Sequence, residues 1–137
     1  MTTLAYHHDS KTIAYDSRVS CGSGIVTDDY EKSTTKDGVI FVFAGDIADQ
    51  QRFIEDYPNL KDTYDIAALV IESGVVYHVL YEHKGHPRHK VDHDYAIGSG
   101  ADHAITAMDV GLSAEDAVKM AIKRNLRTGG EVRTITL

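Results

Sequence analysis

The sequence predicts a single α+β domain that spans residues 1–137. A chain of this length is long enough for one hydrophobic core, and 42% apolar with 26% charged residues is ordinary for a globular protein. Strand-like segments come in two blocks, with helix-like segments in the middle and toward the end. Because strands and helices do not alternate along the chain, the pattern does not indicate a parallel, Rossmann-like sheet.

The first element is a hairpin that begins at the start of the chain. Residues 3–6 and 12–18 alternate loosely between apolar and polar side chains, as half-buried strands do. The polar residues 9–11 form the turn between them, and His7 and His8 are expected in an exposed loop at its tip.

The next segments lead to a buried strand. Residues 20–24 are a turn by composition, and residues 24–27 form a short strand before the chain turns toward Lys32. The run at 39–44 is β-branched and aromatic, which predicts a strand buried on both faces. It ends at Gly45, where the absence of a Cβ permits a close approach of another group.

A helix is predicted over residues 46–56, with Ile47, Phe53 and Ile54 on its inward face. Pro58 ends it, because proline disfavours helical backbone at the preceding residue. A hairpin then follows over residues 67–81.

The segment at 82–94 is rich in histidine and allows two interpretations. The histidine spacings of three, three and four residues suit a helical metal site, but Gly85 and Pro87 break a helix and no cysteine accompanies them. A solvated loop is therefore preferred to metal binding. The histidines concerned are His83, His86, His89 and His93.

The last third of the chain contains two helices between strands. A strand at 95–97 leads through Gly-Ser-Gly into a helix over 101–110, which stops at Gly111. Ser113 is the predicted N-cap of the second helix, whose apolar stripe is Ala114, Ala117, Val118, Ala121 and Ile122. A final strand covers residues 132–137.

Charge and segment composition narrow the function classes. The net charge of −7 opposes binding to nucleic acid through phosphate contacts. No apolar run approaches the ~18 residues that span a bilayer, and no signal peptide is evident, so no membrane partner is expected. The lone Cys21 cannot form an internal disulfide, so an oxidising compartment offers no benefit and the cytoplasm is the expected location.

Threonine follows the initiator methionine, and this order has a chemical consequence. If Met1 is removed, Thr2 carries a free α-amine beside its own hydroxyl, and the amine can act as the base for that hydroxyl. An α-amine titrates near pH ~8, so a fair fraction is neutral at physiological pH. Taken alone, a Met-Thr start is more often an exposed and unselected one.

The segments that follow this threonine resemble, in order, those of proteasome-type N-terminal-nucleophile (Ntn) hydrolases. The nearest likeness is to HslV-type peptidase subunits and their short phage and bacterial relatives. The resemblance covers nearly the whole chain, although its motifs are individually weak. They are the hairpin at 1–18, the segment 27–32, Phe-Ala-Gly at 43–45 and Ala-Ile-Gly-Ser-Gly at 96–100.

This resemblance implies a fold and a reaction. The fold is a four-layer α-β-β-α sandwich of two antiparallel sheets flanked by helices. The central helical region is shortened here, with room for about one helix where larger members have two. The reaction is hydrolysis of peptide amides through an acyl-enzyme, with no cofactor and no metal.

The resemblance also implies roles for seven residues. Thr2 is the nucleophile, Asp16 and Lys32 tune the charge around it, and the others stabilise the oxyanion or orient the amine. Gly45 would donate its N–H to the oxyanion, although an ordinary strand-to-helix turn also explains this glycine. The remaining three positions are Ser99, Asn125 and Thr128, and the family has aspartate where this chain has Asn125.

The alternative is a catalytically weak or inactive module of the same fold that acts in protein interaction or assembly. It is favoured by Asn125, which carries no charge, and by any retention of Met1, which would block the amine. The expected partners are a peptide or unfolded-protein substrate, further copies of the chain in a homo-oligomer, and an ATP-dependent unfoldase. Loss of helical length in the centre puts large rings in doubt.

Overall fold

The computed structural model describes residues 2–137, which form eleven strands and three helices. The helices are α1 (Ile47–Asp56), α2 (Ala101–Asp109) and α3 (Ala114–Arg124). The strands are β1 (Thr3–His7), β2 (Thr12–Tyr15), β3 (Val19–Cys21), β4 (Gly24–Thr27), β5 (Ser33–Lys36), β6 (Val39–Gly45), β7 (Ile66–Glu72), β8 (Val75–Leu80), β9 (Arg88–Lys90), β10 (Tyr95–Gly98) and β11 (Arg133–Thr136).

The chain divides into two compact units. One comprises the chain up to Lys32 together with Asp92–Leu137, and the other comprises Ser33–Val91. The first contains a four-stranded antiparallel sheet in the order β10-β1-β2-β11 and the separate β3-β4 hairpin. The second contains a five-stranded antiparallel sheet in the order β5-β6-β7-β8-β9.

In the first unit, α2 and α3 pack on one face of the sheet through small side chains. Ala5 and Ala14 on the strands meet Ala104, Ala117 and other small residues of the helices in one buried cluster. Alanines permit this close packing because they have no side chain beyond Cβ. The other face of the same strands is also buried, at Leu4, Tyr6, Ile13 and Tyr15.

In the second unit, α1 packs on the sheet through aromatic side chains. Phe53 is fully buried, and its ring meets those of Phe41 and Phe43 edge-on, with centroids 5.3 Å and 5.6 Å apart. Aromatic rings prefer this edge-to-face geometry, which adds to the energy of burial. Ile54 is packed beside them, as its predicted inward position requires.

The elements predicted from the sequence are largely confirmed, including all three helices. Ser113 caps α3, since its Oγ accepts the backbone N–H of Asp116 at 3.1 Å. The prediction of a loop throughout 82–94 is wrong at Arg88–Lys90, which pairs with β8. These three residues are exposed and polar, so no hydrophobic alternation marked them as a strand.

Two further strands, β3 and β5, were not predicted, and the predicted turn at 20–24 is wrong at Ser20 and Cys21, which belong to β3. β3 has only three residues, too few for an alternation to be read, and β5 is polar throughout. The sheets are antiparallel as expected, and α1 alone occupies the shortened central region. The four-layer order and the single domain stay predictions. Among residues 2–137, no helix is long and apolar enough to cross a membrane.

Candidate active site

Thr2 lies immediately before β1 and is almost fully buried, with 5% of its surface exposed. Its carbonyl oxygen accepts the backbone N–H of Ser99 at 2.8 Å. Gly98, which pairs with Thr3 across the sheet, makes this approach possible. A Cβ on Gly98 would lie 1.8 Å from the Thr2 oxygen, so the strand end reaches Thr2 only because this residue is glycine.

A buried ion pair stands beside the Thr2 hydroxyl. The ammonium of Lys32 donates to Thr2 Oγ1 at 2.8 Å and to Asp16 Oδ1 at 2.7 Å. Lys32 and Asp16 are 3% and 0% exposed. Charges are buried this deeply only when they are paired, so the pair fixes a positive charge at the hydroxyl oxygen.

Asp16 follows the last residue of β2 and is held by backbone groups as well as by Lys32. Its Oδ1 accepts the N–H of Thr3 at 3.1 Å, and its Oδ2 accepts those of Gly129 at 3.0 Å and Arg18 at 3.3 Å. A carboxylate with several backbone donors keeps one orientation. Asp16 therefore fixes Lys32 in position and holds the start of β1 at the same time.

The titration of Lys32 reflects two opposing effects. Burial lowers the pKa of the Lys32 ammonium from its ordinary value of 10.5, because the charged form loses its hydration. The carboxylate of Asp16 acts in the opposite direction, through its charge and its hydrogen bond. The net direction is downward, so the amine gives up its proton more readily than an exposed lysine.

The other side of Thr2 is built from neutral groups. Asn125 Oδ1 accepts from Ser99 Oγ at 3.1 Å, from the Arg127 N–H at 3.0 Å and from Thr128 Oγ1 at 3.2 Å. Its Nδ2 donates to the carbonyl oxygen of Ser99 at 3.0 Å. The Asn125 side chain thus joins the end of α3 to the turn after β10, where Ser99 meets Thr2.

Thr3 connects the charged and the neutral groups. Its N–H donates to Asp16, and its Oγ1 lies 2.7 Å from Oγ1 of Thr128. Since the Thr128 hydroxyl donates to Asn125, the proton in the first contact comes from Thr3. A Cβ on Gly100 would lie 2.2 Å from Thr3 Oγ1, so this glycine leaves room for the link.

Comparison with solved structures shows what the fold of this chain is similar to. Thiobacillus denitrificans BPH in complex with epoxomicin is 18% identical, over 98% of this chain and 97% of that chain, with a TM-score of 0.73. A second structure of Thiobacillus denitrificans BPH is 16% identical, over 98% and 96%, with a TM-score of 0.74. Eukaryotic HslV from Trypanosoma brucei is 18% identical, over 98% of both chains, with a TM-score of 0.75.

The chain has an HslV-like fold. No protein-family profile matches the sequence, and no curated protein matches it either. The resemblance noted in the sequence is therefore confirmed at the level of the fold, by structures that match nearly the whole chain.

Six of the seven residues expected to form the site lie in the first unit and are joined by the contacts above. They are Thr2, Asp16, Lys32, Ser99, Asn125 and Thr128. Whether they act in catalysis stays a prediction at this point. Met1, whose removal the predicted reaction would require, lies outside the described residues.

Gly45, the seventh residue, belongs to the other unit. It ends β6 with a φ of +127°, and a Cβ there would lie 2.5 Å from the carbonyl oxygen of Asp65. The strand-to-helix turn alone thus requires a glycine. Its role as the oxyanion donor stays a prediction.

Several residues that shape the site were not identified from the sequence as site residues. Arg18 is the clearest case: its N–H donates to Asp16 Oδ2 at 3.3 Å, and its guanidinium binds Asp28 with two bonds, of 2.8 Å and 3.1 Å. Thr3 is another, and its hydroxyl gave no signal because threonine is common in strands. The glycines around Ser99 were noted only as a weak motif.

The histidines of the segment 82–94 do not form a metal cluster in the part of the chain that the structure describes. No group of three or more His, Cys, Asp or Glu side chains in residues 2–137 is placed to hold an ion. His86 points to the chain itself, with Nε2 2.8 Å from the carbonyl oxygen of Asp62.

Proposed function

We propose that the chain is a threonine-type peptide hydrolase whose nucleophile is Thr2 Oγ1, after removal of Met1. One observation carries the proposal. A buried lysine ammonium lies 2.8 Å from the Thr2 hydroxyl oxygen and is held there by a fully buried aspartate. A structural threonine does not need a buried charge at its hydroxyl, whereas a nucleophile that passes through an alkoxide is stabilised by one.

The reaction proceeds by acyl transfer. Thr2 Oγ1 attacks the carbonyl carbon of a peptide bond, and the hydroxyl proton passes to the free α-amine of Thr2. Lys32 stabilises the negative charge that Thr2 Oγ1 acquires as its proton leaves, and this charge passes to the carbonyl oxygen of the substrate as the C–O bond forms. The C–N bond then breaks and the departing amine takes the proton, which leaves an ester on Thr2.

Water completes the cycle by attacking this ester. The α-amine accepts a proton from the water, the acid product leaves, and the threonine hydroxyl is restored. The neutral contacts of Ser99, Asn125 and Thr128 hold the backbone of the N-terminal segment in place during both steps. No metal or cofactor is needed for this chemistry.

The substrate that fits the proposal is a peptide or an unfolded protein. The likeness to a BPH structure that holds epoxomicin supports the use of an epoxyketone as a probe of this chain. Assembly into a homo-oligomer, which sedimentation would measure, and association with an ATP-dependent unfoldase stay predictions.

Hydrolysis of fluorogenic peptide amides with acidic, basic and apolar side chains before the cleaved bond tests the proposal. Thr2→Val keeps the shape of the side chain and removes the hydroxyl, so turnover should fall by about 10³-fold or more. Thr134→Val makes the same chemical change on the exposed face of β11 and should leave turnover unchanged.

A second variant separates the amine from the hydroxyl. A chain with one uncleavable residue before Thr2 keeps the hydroxyl but blocks the amine, and it should also be inactive. Turnover that survives in Thr2→Val would overturn the proposal. If the folded protein with a free Thr2 hydrolyses no peptide, it is a non-catalytic module with an HslV-like fold.

A further inference from the structure

Asn125 stands where the resemblance implies an aspartate, and the structure shows what its amide does. Two backbone groups fix the direction of the amide. The N–H of Arg127 can only donate, and it meets Oδ1 at 3.0 Å. The carbonyl of Ser99 can only accept, and it meets Nδ2 at 3.0 Å. A flipped amide would set donor against donor and acceptor against acceptor.

In this orientation, the Asn125 amide makes two hydrogen bonds to Ser99. Nδ2 binds the carbonyl oxygen of Ser99, and Oδ1 accepts from its hydroxyl at 3.1 Å. Ser99 in turn holds Thr2, since its N–H donates to the Thr2 carbonyl at 2.8 Å. Asn125 therefore acts on Thr2 through Ser99 and does not touch the reacting hydroxyl itself.

A carboxylate cannot make the same set of contacts. An ionised carboxyl group only accepts hydrogen bonds, so its second oxygen would face the Ser99 carbonyl at about the 3.0 Å that Nδ2 now spans. Two acceptors at that distance repel, and the exposed Ser99 carbonyl loses its donor from Asn125. Only the protonated carboxylic acid would supply a hydrogen atom there.

We propose that Asn125 is a positioning residue whose neutral amide, and not a carboxylate, holds Ser99 against Thr2 in this chain. The kinetic consequences of this inference rest on the proposed function. The hydrogen bonds between Asn125 and Ser99 are a property of the fold and do not depend on it. Asparagine in place of the aspartate that the resemblance implies is then part of a functional site and does not impair it.

The test compares Asn125→Asp with Asn125→Ala and with the wild type near pH ~7.5, where an ordinary carboxyl is ionised. Asn125→Asp should lower kcat by about 10- to 100-fold, with KM nearly unchanged, because a donor is lost and a repulsion is gained. Its melting temperature should fall by about 3–10 °C. Asn125→Ala should lose less in both measurements, since it removes the donor without adding a charge.

The pH profile separates positioning by the amide from a loss of packing. The ratio of kcat in Asn125→Asp to that in the wild type should rise as the pH falls from about 8 to about 5, because protonation restores the donor. The gap in melting temperature should narrow over the same range. Asn59→Asp, at the exposed other asparagine of the chain, adds the same charge and should change neither quantity.

Each outcome bears on one claim only. If Asn125→Asp matches or exceeds the wild type in kcat and melting temperature at neutral pH, or if Asn125→Ala matches it, the inference is wrong. If the wild type hydrolyses no peptide, the proposed function fails. The melting temperatures of the same variants still decide whether the Asn125 amide stabilises Ser99 through its hydrogen bonds.

Discussion

Thr2 is held by two groups of residues that differ in charge and in burial. On the side of its hydroxyl stand Lys32 and Asp16, both charged and both fully buried. On the side of its carbonyl stand Ser99 and Asn125, both neutral and both partly open to solvent. The first group sets the electrostatics around the Thr2 hydroxyl, whereas the second fixes where the Thr2 backbone lies.

This difference predicts how each side tolerates change. A buried ion pair fails when either partner is removed, because the remaining charge is left without compensation. A neutral hydrogen-bond network loses about 1 kcal/mol for each contact removed. Removing either charged partner should therefore cost several kcal/mol of stability at once. Removing neutral contacts should cost stability in steps of about 1 kcal/mol, except where the backbone leaves no room for a side chain.

The largest effect is expected at that exception, Gly98. Gly98→Ala would set a Cβ 1.8 Å from the Thr2 carbonyl oxygen, and neither backbone can yield without breaking the β1–β10 pairing. We expect the free energy of unfolding to fall by about 4 kcal/mol or more in urea denaturation.

Gly111→Ala is the matched control for Gly98→Ala. Both glycines have a φ of +101°, but a Cβ on Gly111 meets no atom within 4 Å. Gly111→Ala thus isolates the backbone strain, at about 1–3 kcal/mol. Equal losses of unfolding free energy in the two variants would show that the close contact between Gly98 and Thr2 does not affect stability.

The next largest effect is expected from Asp16→Asn, on the charged side. The substitution keeps the shape but leaves Lys32 without its counter-ion, so the free energy of unfolding should fall by about 3–5 kcal/mol. The double variant Asp16→Asn with Lys32→Met should recover part of that stability, because no buried charge remains. It should not recover peptide hydrolysis. A double variant as active as the wild type would show that Asp16 and Lys32 have no part in the mechanism.

A pH titration examines the same pair through the lowered pKa of Lys32. Between that lowered pKa and 10.5, the unfolded chain binds more protons than the folded chain, so stability due to this group rises with pH. The difference in free energy of unfolding between the wild type and Lys32→Met should increase across this window, by at most about 1.4 kcal/mol per pH unit. A difference that is flat or falls would contradict the lowered pKa.

The smallest effect is expected at the link between the two sides. Thr3→Val removes the hydroxyl that donates to Thr128 but keeps the side-chain shape, at a cost of about 1 kcal/mol in free energy of unfolding. Thr3→Ser keeps the hydroxyl and should recover most of the lost free energy of unfolding. If Thr3→Val is as damaging as Asp16→Asn, the graded behaviour assigned to the neutral side is wrong.

The two sides also differ in how far the sequence could predict them. The hairpin of β1 and β2 follows from local alternation, and it places Asp16 near the start of the chain. The bond between Thr3 and Thr128 joins residues 125 positions apart, and no local pattern encodes such a contact. The family resemblance supplied Thr128 and the Asn125 position, but it did not supply Thr3 or the direction of the amide.

The strands that escaped prediction have three or four residues and no readable apolar alternation, so their pairing depends on a neighbouring strand and not on their own composition. Arg88–Lys90 is the clearest instance, since its backbone adds to the edge of β8. The helices were predictable because caps and apolar stripes are local signals, as at Ser113.

The central claim is that Thr2 is a nucleophile with a free amine, and intact mass tests it most directly. The purified protein would be weighed before and after incubation with an epoxyketone, whose adjacent electrophilic groups suit a hydroxyl beside an amine. The account predicts loss of Met1 and the gain of one adduct in the wild type, and no adduct in Thr2→Ala. A retained Met1, or a free Thr2 that never forms the adduct in the folded protein, would contradict it.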